Sequence, residues 1–556
     1  AIESGITSEP RQDFLRAYFS WWLRLAIDRS DTLRSFTHWE HEDRIEKFRE
    51  LVETVQTMAA TQVRATIASE LPDRDEVPKK SELGLLRHQL GLKRPSKSIR
   101  DLIAGMPETL MTLTPCVLMS PLSVAQFLTA DREGFDIVIF DEASQITTWD
   151  AIGAIARGKQ SIIVGDPKQL PPTNFFGRSD EDEEDELDYH EKDLPSILDE
   201  ASDAGLALHQ LNWHYRSRDE DLIAFSNHHY YGQRLVTFPS PSTDSQAVQF
   251  HAVDGVYARG KGRTNEVEAR AVVDFILSRL EDWITRPEEE RLSIGVITFN
   301  APQQELILDL LDEARSHRSR AHLEWFFSEE REEPVMVKNL ENVQGDERDV
   351  MVFSITFGPD AAGKIAMDFG AVNREGGEKR LNVAVTRAKS EFHVFSSISA
   401  DDIDLRRTRS IGVQHLKNYL DYAARGAVAL PAMDEGSLGP AESPFEESVA
   451  SALQAKGWDV RTQIGVSGFR IDLGIVHPDR PGSYLAGLEC DGATYHRSAT
   501  ARDRDQIREG VLRNLGWKIH RIWSTDWFMN PADAIKRADD RLRELLEASR
   551  SEIAKE

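Results

Sequence analysis

Cysteine is nearly absent: Cys116 and Cys490 are the two thiols in 556 residues. Two thiols exclude a disulfide-built fold and cannot complete a four-ligand structural zinc site. Both stand in apolar, strand-like runs, and they read as reduced, buried thiols of a cytoplasmic protein. No run of 18 apolar residues occurs, so no membrane-spanning helix is expected. The opening Ala1-Ile2-Glu3-Ser4 lacks the basic start and apolar segment of a secretory signal. It also lacks an initiator Met, which points to a longer parent polypeptide. Basic excess is missing too: 67 Lys and Arg face 94 Asp and Glu, for a net charge of −27. A broadly basic surface for nucleic acid is thereby excluded. Part of the acid is local, in Asp180-Glu181-Asp182-Glu183-Glu184-Asp185-Glu186, and a narrow groove for a single strand remains open to the chain. Finally, none of the pairs Gly158-Lys159, Gly260-Lys261 and Gly363-Lys364 is followed by the Ser or Thr that closes a P-loop.

What is present fits a soluble α/β protein of three or four domains. Hydrophobic residues are 40% and charged residues 29% of the chain. Residues 1–98 read as a helical hairpin or stalk. Phe14, Tyr18, Trp21, Trp22 and Leu25 form a helical stripe, and a second helix runs from about Glu40 to Ser69. Leu71 to Ser98 carries three prolines and breaks the pattern. Residues 99–205 and 206–429 are two α/β units. Short apolar runs alternate with helical stretches, as in a parallel sheet covered on both faces. The runs are Cys116–Met119, Ile137–Phe140, Ile162–Val164, Ile294–Phe299, Val335–Val337, Val350–Ile355 and Phe392–Phe395. A Gly/Pro linker over 430–443 leads to a compact unit at 444–556 with the order helix, three strands, helix, strand.

Two strand ends carry chemistry. The run Asp136-Ile-Val-Ile-Phe ends in Asp141-Glu142-Ala143-Ser144. A carboxylate at the carboxyl end of a parallel strand can hold the Mg²⁺ of a bound nucleotide, and a second can orient an attacking water. Alone, the pair could equally start a helix. The run Ile162-Ile163-Val164 passes into Gly165-Asp166-Pro167-Lys168-Gln169-Leu170-Pro171-Pro172. The neutral amide of Gln169 suits a γ-phosphate sensor.

With three further segments in the same order, the chain resembles superfamily 1 helicases. Asp141–Ser144 resembles motif II and Gly165–Pro172 motif III. His214-Tyr215-Arg216-Ser217 resembles the Tyr-Arg motif opening the second half, Val343-Gln344-Gly345-Asp346-Glu347-Arg348-Asp349 motif V, and Leu381–Lys389 motif VI. Five ordered motifs over about 250 residues make the match specific. The Asp-Glu-Ala-Ser form and the hairpin are similar to the Upf-type branch, which contains the nonsense-mediated-decay RNA helicase and moves 5′ to 3′. The resemblance implies two RecA-like units binding ATP and Mg²⁺. Asp141 would bind Mg²⁺ and Glu142 activate water. Tyr215 would stack on adenine, Gly345 and Glu347 would lie near the nucleotide, and Arg216 and Arg387 would clamp the γ-phosphate. It also places Ser120 and Pro121, and Thr298, Phe299 and Asn300, at the nucleic-acid groove, with Phe299 stacking on a base. Each of these could instead be local capping. The missing P-loop departs from the family. In the family it precedes the hairpin, so a segment upstream of Ala1 is expected to supply it.

The C-terminal unit resembles the PD-(D/E)XK nuclease core, in particular the restriction-endonuclease-like domain related to very-short-patch repair endonucleases. Glu446, Asp472, Glu489, Asp491 and His496 are its candidate catalytic residues, with Asp472 and Glu489 as metal ligands. The family's Glu-x-Lys lysine is absent, and Asp491 or His496 is the expected substitute. Arg502, Arg504, Arg508 and Arg513 could meet phosphates or solvent. The overall expectation is an ATP-dependent DNA helicase or translocase joined to a Mg²⁺-dependent endonuclease, with a defence or repair role by analogy. The alternatives are an RNA helicase with an accessory fold and a non-catalytic nucleic-acid-binding scaffold.

Overall fold

A computed structural model describes residues 10–71, 77–128, 134–172, 195–243, 247–260, 262–430, 441, 443–465, 470–491 and 503–553. The acidic run, most of the 430–443 linker, His496 and Arg502 lie outside the described residues.

The chain opens with two long helices, α1 (Pro10–Arg29) and α2 (His38–Ser69). A short helix, Asp31–Arg34, separates them, and the α1 stripe is not buried between them: Phe14, Tyr18, Trp21 and Trp22 are exposed. A helix also forms at Glu82–Leu90, inside the segment read as irregular; Ser81 caps it by accepting from the Gly84 N–H.

The first sheet has two parallel strands, β1 (Phe135–Phe140) and β2 (Gly158–Ile163), joined through α3 (Thr148–Ile155). One face packs Phe140 against Ala151, Ala154, Ile197 and Leu198. On the other, Ile137, Ile139 and Ile162 are exposed, Ile139 by 64%. A parallel sheet ordinarily has both faces covered. The Cys116–Met119 run forms no strand, and Cys116 is exposed, which corrects its reading as a buried thiol. Cys490 is buried.

The second sheet is complete on both faces. Its strands are β3 (Val248–Ala252), β4 (Ile294–Thr298), β5 (Met336–Asn339), β6 (Arg348–Ser354) and β7 (Ala388–Ser396), all parallel in the order β3-β7-β6-β4-β5. Helices α4 (Glu266–Trp283) and α5 (Ala301–Ser316) cover one face, packing Val272, Ile276, Ile307 and Leu311 onto Val296, Val350 and Val352. Helices α6 (Gly377–Val385) and α7 (Ile411–Arg425) cover the other, where Leu381, Val385 and Leu416 meet Ile297, Met351 and Phe353. Burial on both sides explains why these strands read as continuous apolar runs. Edge strand β3, Val-Gln-Phe-His-Ala, carries no such run.

The third sheet is mixed. Its strands β8 (Val460–Ile464), β9 (Ile471–His477), β10 (Arg480–Asp491) and β11 (Ile519–Trp523) lie in the order β11-β10-β9-β8. Only the β10–β11 pair is parallel. Helices α8 (Pro444–Gln454), α9 (Glu509–Asn514) and the unanticipated α10 (Pro531–Ile553) complete the unit. Trp517, Trp523 and Trp527 are buried, as expected.

This last unit is held from two directions. Helix α2 and its approach dock on it: Phe36 and His41 pack on Trp523, whose indole N–H donates to Glu42 at 3.2 Å, and His38 meets Asp526 at 2.8 Å. From the second α/β unit, residues 236–243 form a strap. Phe238 enters a cluster with Ile464, Ile471, Leu512 and Trp517, Pro239 O accepts from the Trp517 indole at 2.8 Å, and Pro241 O accepts from Tyr484 N at 2.8 Å. Among the described residues no helix is long and apolar enough to cross a membrane.

Candidate nucleotide cleft and carboxylate cluster

The first candidate site lies where the two parallel-sheet units meet. Strand β1 delivers Asp141 and Glu142 at its carboxyl end. Glu142 adopts a left-handed backbone, φ 52°, with its N–H on Asp141 Oδ1 at 3.0 Å, and the Ala143 N–H continues the pairing to Val164 O at 2.9 Å. The loop after β2 must pass closely. A Cβ on Gly165 would stand 2.9 Å from Ser144 N, so only glycine fits without displacing backbone.

From the second unit, Gln344 donates its amide to Glu142 Oε2 at 3.0 Å, while its own Oε1 is buried without a hydrogen-bond partner among the described residues. The next residue, Gly345, has φ 85°. Asp166 accepts from the Tyr231 hydroxyl at 2.6 Å and from Gln169 Nε2 at 3.1 Å. Asn382 bridges the units through Lys168 O at 2.9 Å and the Tyr231 oxygen at 3.1 Å; its Oδ1 is also buried and unpartnered. Tyr231 was not anticipated. Burial and the Asp166 carboxylate push its phenol up, so it stays a neutral donor.

Arg387 is central. It is 3% exposed, donates Nε to Val383 O at 2.8 Å and holds Nη2 3.5 Å from Gln169 Oε1. Among the described residues it makes no ion pair. Burial, and then the neighbouring Arg216 charge, lower its pKa to about 10, and Glu142 and Glu347 oppose that from a distance. It therefore remains cationic at neutral pH. Arg216 is instead paired with Glu347 at 2.6 Å, and Lys389 stands 3.4 Å from the same carboxylate. Tyr215 is 69% exposed. A buried guanidinium without a carboxylate, beside two orphaned amide oxygens, suits a group carrying both phosphate and coordinated cation.

The Gly158-Lys159 pair comes nearest to a phosphate loop in sequence. Gly153 stands five positions before Gly158, so the segment departs from a P-loop only at Gln160. The structure nevertheless gives it a different role. Gly153 lies within α3 and Gly158-Lys159 opens β2, which reverses the strand–loop–helix order of a phosphate loop. Lys159 pairs with Asp136 at 2.9 Å.

The expected groove residues serve local structure. Ser120 caps the short helix Pro121–Phe127 by accepting from Ser123 N, with Pro121 in its first turn. Asn300 caps α5 through the Gln303 N–H at 2.9 Å and donates to Arg263 O at 3.0 Å. Thr298 is fully buried, its hydroxyl on Asn300 O at 2.9 Å. Phe299 is buried against Phe353 and Phe357, ring centroids 5.0 and 5.8 Å away. It forms core and offers no face to a base.

The second candidate site is the carboxylate cluster of the third sheet. The pairing of β9 with β10 sets Leu473 opposite Leu488, which brings Asp472 beside Glu489, and Cys490 N donates to Asp472 Oδ2 at 2.7 Å. Burial first, then the charges of Glu446 and Glu489, raise the Asp472 pKa to about 7 despite that bond. The pKa of Asp491 is raised as well, by burial and then by Glu489; its Oδ2 is buried without a hydrogen-bond partner among the described residues. Glu446 on α8 accepts from Ser443 Oγ at 2.7 Å and from Gln463 Nε2 at 2.9 Å. Gln463 is buried with φ 52°. Arg508 pairs with Glu489 at 3.1 Å and Arg513 with Glu509 at 2.7 Å, so neither points only to solvent. No group of three or more His, Cys, Asp or Glu among the described residues is arranged to hold a metal. The repulsion between Asp472 and the buried Glu489 suits a divalent ion, which one or two carboxylates can hold. Asp472 and Glu489 would hold it, and a metal bound there would polarise a phosphate and lower the pKa of a water.

Comparisons with known proteins follow the same division. The family profiles AAA_11 and AAA_12, each described as an AAA domain, match residues 31–175 and 195–399, and REase_MTES_1575 matches residues 445–542. The uncharacterized ATP-dependent helicase MG140 homolog of Mycoplasma pneumoniae is 30% identical over 460 residues, covering 80% of this chain and 40% of that protein. The Mycoplasma genitalium protein MG140, of the same description, is 30% identical over 455 residues, covering 77% and 39%. Helicase sen1 of Schizosaccharomyces pombe is 26% identical over 287 residues, covering 48% and 15%. The chain thus spans about 40% of the length of the two Mycoplasma relatives. The arterivirus nonstructural protein 10 helicase structure aligns at 11% identity over 59% of each chain with a TM-score of 0.23.

Proposed function

We propose that this chain, which combines AAA domains of the ATP-dependent helicase kind with a restriction-endonuclease-like domain, forms the closing side of a DNA helicase's ATP cleft and a Mg²⁺-dependent nuclease site. The observation that carries the first part is the buried, carboxylate-free Arg387 facing Gln169 across the junction of the two sheets. Arg387 and Arg216 neutralise charge on the γ-phosphate, Glu142 orients the attacking water, Asp141 faces the Mg²⁺ that ATP carries, and Tyr215 offers its exposed ring to the base. Gln344 holds Glu142 before the nucleotide arrives. The phosphate loop comes from a further polypeptide segment that also covers the exposed Ile137, Ile139 and Ile162 face of the first sheet. Residues 99–205 and 206–429 are the two motor units, and 444–556 the nuclease unit.

DNA is preferred over RNA as substrate because the C-terminal unit matches a restriction-endonuclease-like family. Cleavage of duplex and single-stranded DNA and of RNA by the full chain, each with Mg²⁺, tests the second part. DNA cleavage lost in Asp472→Ala supports it. RNA cleavage alone, or cleavage unchanged by the substitution, refutes it. ATP turnover is the test of the first part: an appreciable rate from this chain without a P-loop segment, abolished by Glu142→Gln, contradicts the assignment of the phosphate loop elsewhere.

A further inference from the structure

The strand segment Glu489-Cys490-Asp491 has no basic residue, yet the structure places Arg508 and, from the adjoining strand, Arg521 beside it. Strands β10 and β11 run parallel with Glu489 paired to Arg521, so the two side chains share a sheet face. Arg521 Nε stands 3.6 Å from Glu489 Oε2 and 3.4 Å from Asp491 Oδ2, and its side chain is 8% exposed. Its Nη2 donates to Glu509 Oε2 at 2.9 Å. The same Glu509 oxygen receives Arg49 of α2, the helix whose neighbouring residues Phe36, His41 and Ile45 pack on Trp523. Trp523 is two residues after Arg521 on β11 and thus on the same face. The stalk therefore lies over the face that carries the acids. A continuous line of ion pairs runs from Arg49 through Glu509 and Arg521 to Asp491 and Glu489.

We infer that Arg521 is a phosphate-binding residue of the carboxylate site, supplied from the neighbouring strand and anchored by the stalk, which occupies Glu489 and Asp491 until a substrate phosphate draws its guanidinium away. The inference rests on the nuclease reading of this domain. A guanidinium and a divalent ion compete for the same carboxylate charge, and at separations of 3.4–3.6 Å in a buried site that competition is strong. A phosphodiester offers the guanidinium the bidentate partner it prefers. Its arrival would release Glu489 to the metal, so the site assembles on its substrate. In the hydrolysis that follows, a water oxygen bonds phosphorus as the bond from phosphorus to the leaving oxygen breaks. The water gives up one proton to solvent and the leaving oxygen takes one. Arg521 stays protonated throughout and balances charge on the non-bridging oxygens.

The experiment uses the full chain and Mn²⁺, with calorimetric Mn²⁺ affinity measured without DNA and DNA cleavage measured separately. Arg521→Met is expected to bind Mn²⁺ about tenfold more tightly than the parent, since a competing charge is gone. It is expected to cleave about 100-fold more slowly or worse, since the phosphate loses its partner. Arg521→Lys keeps the charge and stays near the parent in metal affinity with partial cleavage. Arg49→Met, which loosens the anchor, shifts both readings in the Arg521→Met direction by a smaller factor. A purely structural Arg521 would lose metal binding and cleavage together. Thermal melting identifies a variant that does not fold, and should Arg521→Met be one, the opposite movement of the two readings in Arg49→Met decides. Metal affinity unchanged or weakened, or cleavage retained, overturns the inference while the nuclease reading stands. A parent chain that binds no Mn²⁺ with DNA present and cleaves none overturns the reading and the inference with it.

Discussion

The two candidate sites mirror each other in charge. In the cleft between the sheets, the buried Arg387 has no ion pair among the described residues, so the imbalance at that side chain is positive. In the third sheet, Asp472, Glu489 and Asp491 cluster around Arg521 and Arg508, and Asp472 and Asp491 keep raised pKa values, so the imbalance is negative. A site with uncompensated buried cation waits for an anion, and one with uncompensated buried acid waits for a cation. Burial alone does not distinguish them; the partner count does.

Breaking the positive imbalance should have the largest effect. Arg387→Ala, made in a form of the protein that includes the phosphate loop, is expected to lower ATP turnover about 10³-fold or more, as for other arginine fingers. A steady-state ATPase assay checks it, and turnover within a few fold of the parent would leave Arg387 a packing residue. Breaking the negative imbalance is expected to act on one chemistry only. Asp472→Ala should lower Mg²⁺-dependent DNA cleavage about 100-fold or more and leave ATP turnover intact. A loss of both would mean that the substitution damages the docking of the domain on stalk and strap.

A third substitution sharpens the contrast between buried residues that serve ligands and those that serve the core. Phe299→Ala should cost about 3–5 kcal/mol of stability, measured by denaturant unfolding, because it opens a cavity beside Phe353 and Phe357. Nucleic-acid affinity of the folded fraction should not change. A selective loss of affinity at unchanged stability would restore Phe299 to the groove.

The smallest effect concerns Glu268, fully buried in the second unit and accepting from Ser354 Oγ and Thr356 N, both at 2.6 Å. Burial raises its pKa to about 7 against those hydrogen bonds. A raised carboxyl pKa means that the folded state binds the extra proton. The contribution of this group to stability is full below about pH 4.5 and declines as pH rises to about 7. Glu268→Gln should therefore flatten the pH dependence of stability in that window, and melting curves between pH 5 and 8 read it. An unchanged slope would show that Glu268 ionises without penalty.

The legible parts of these sites were those written in one short segment. Asp141, Glu142 and Gln169 sit at the ends of apolar strands with fixed spacing, and Arg387 follows a helix with a recognisable run. Tyr231 was not legible, because its hydroxyl reaches Asp166 across 65 positions of sequence. Arg521 was hidden for a similar reason: only the pairing of β10 with β11 puts it beside Glu489. Phe299 was misjudged because β4 is buried on both faces, so no alternation tells core from groove. The half-exposed first sheet left no trace either, since Ile137 and Ile139 read as core in a sheet with two covered faces.

The central claim is that Arg387 waits for a γ-phosphate. Its most direct test is the ratio of affinities for a non-hydrolysable ATP analogue and for ADP, each with Mg²⁺, in the form of the protein that includes the phosphate loop, as parent and as Arg387→Ala, by calorimetry. The account predicts that the parent prefers the triphosphate about tenfold or more and that the substitution removes this preference while leaving ADP affinity nearly unchanged. An equal loss for both nucleotides, or a preference that survives the substitution, would contradict it.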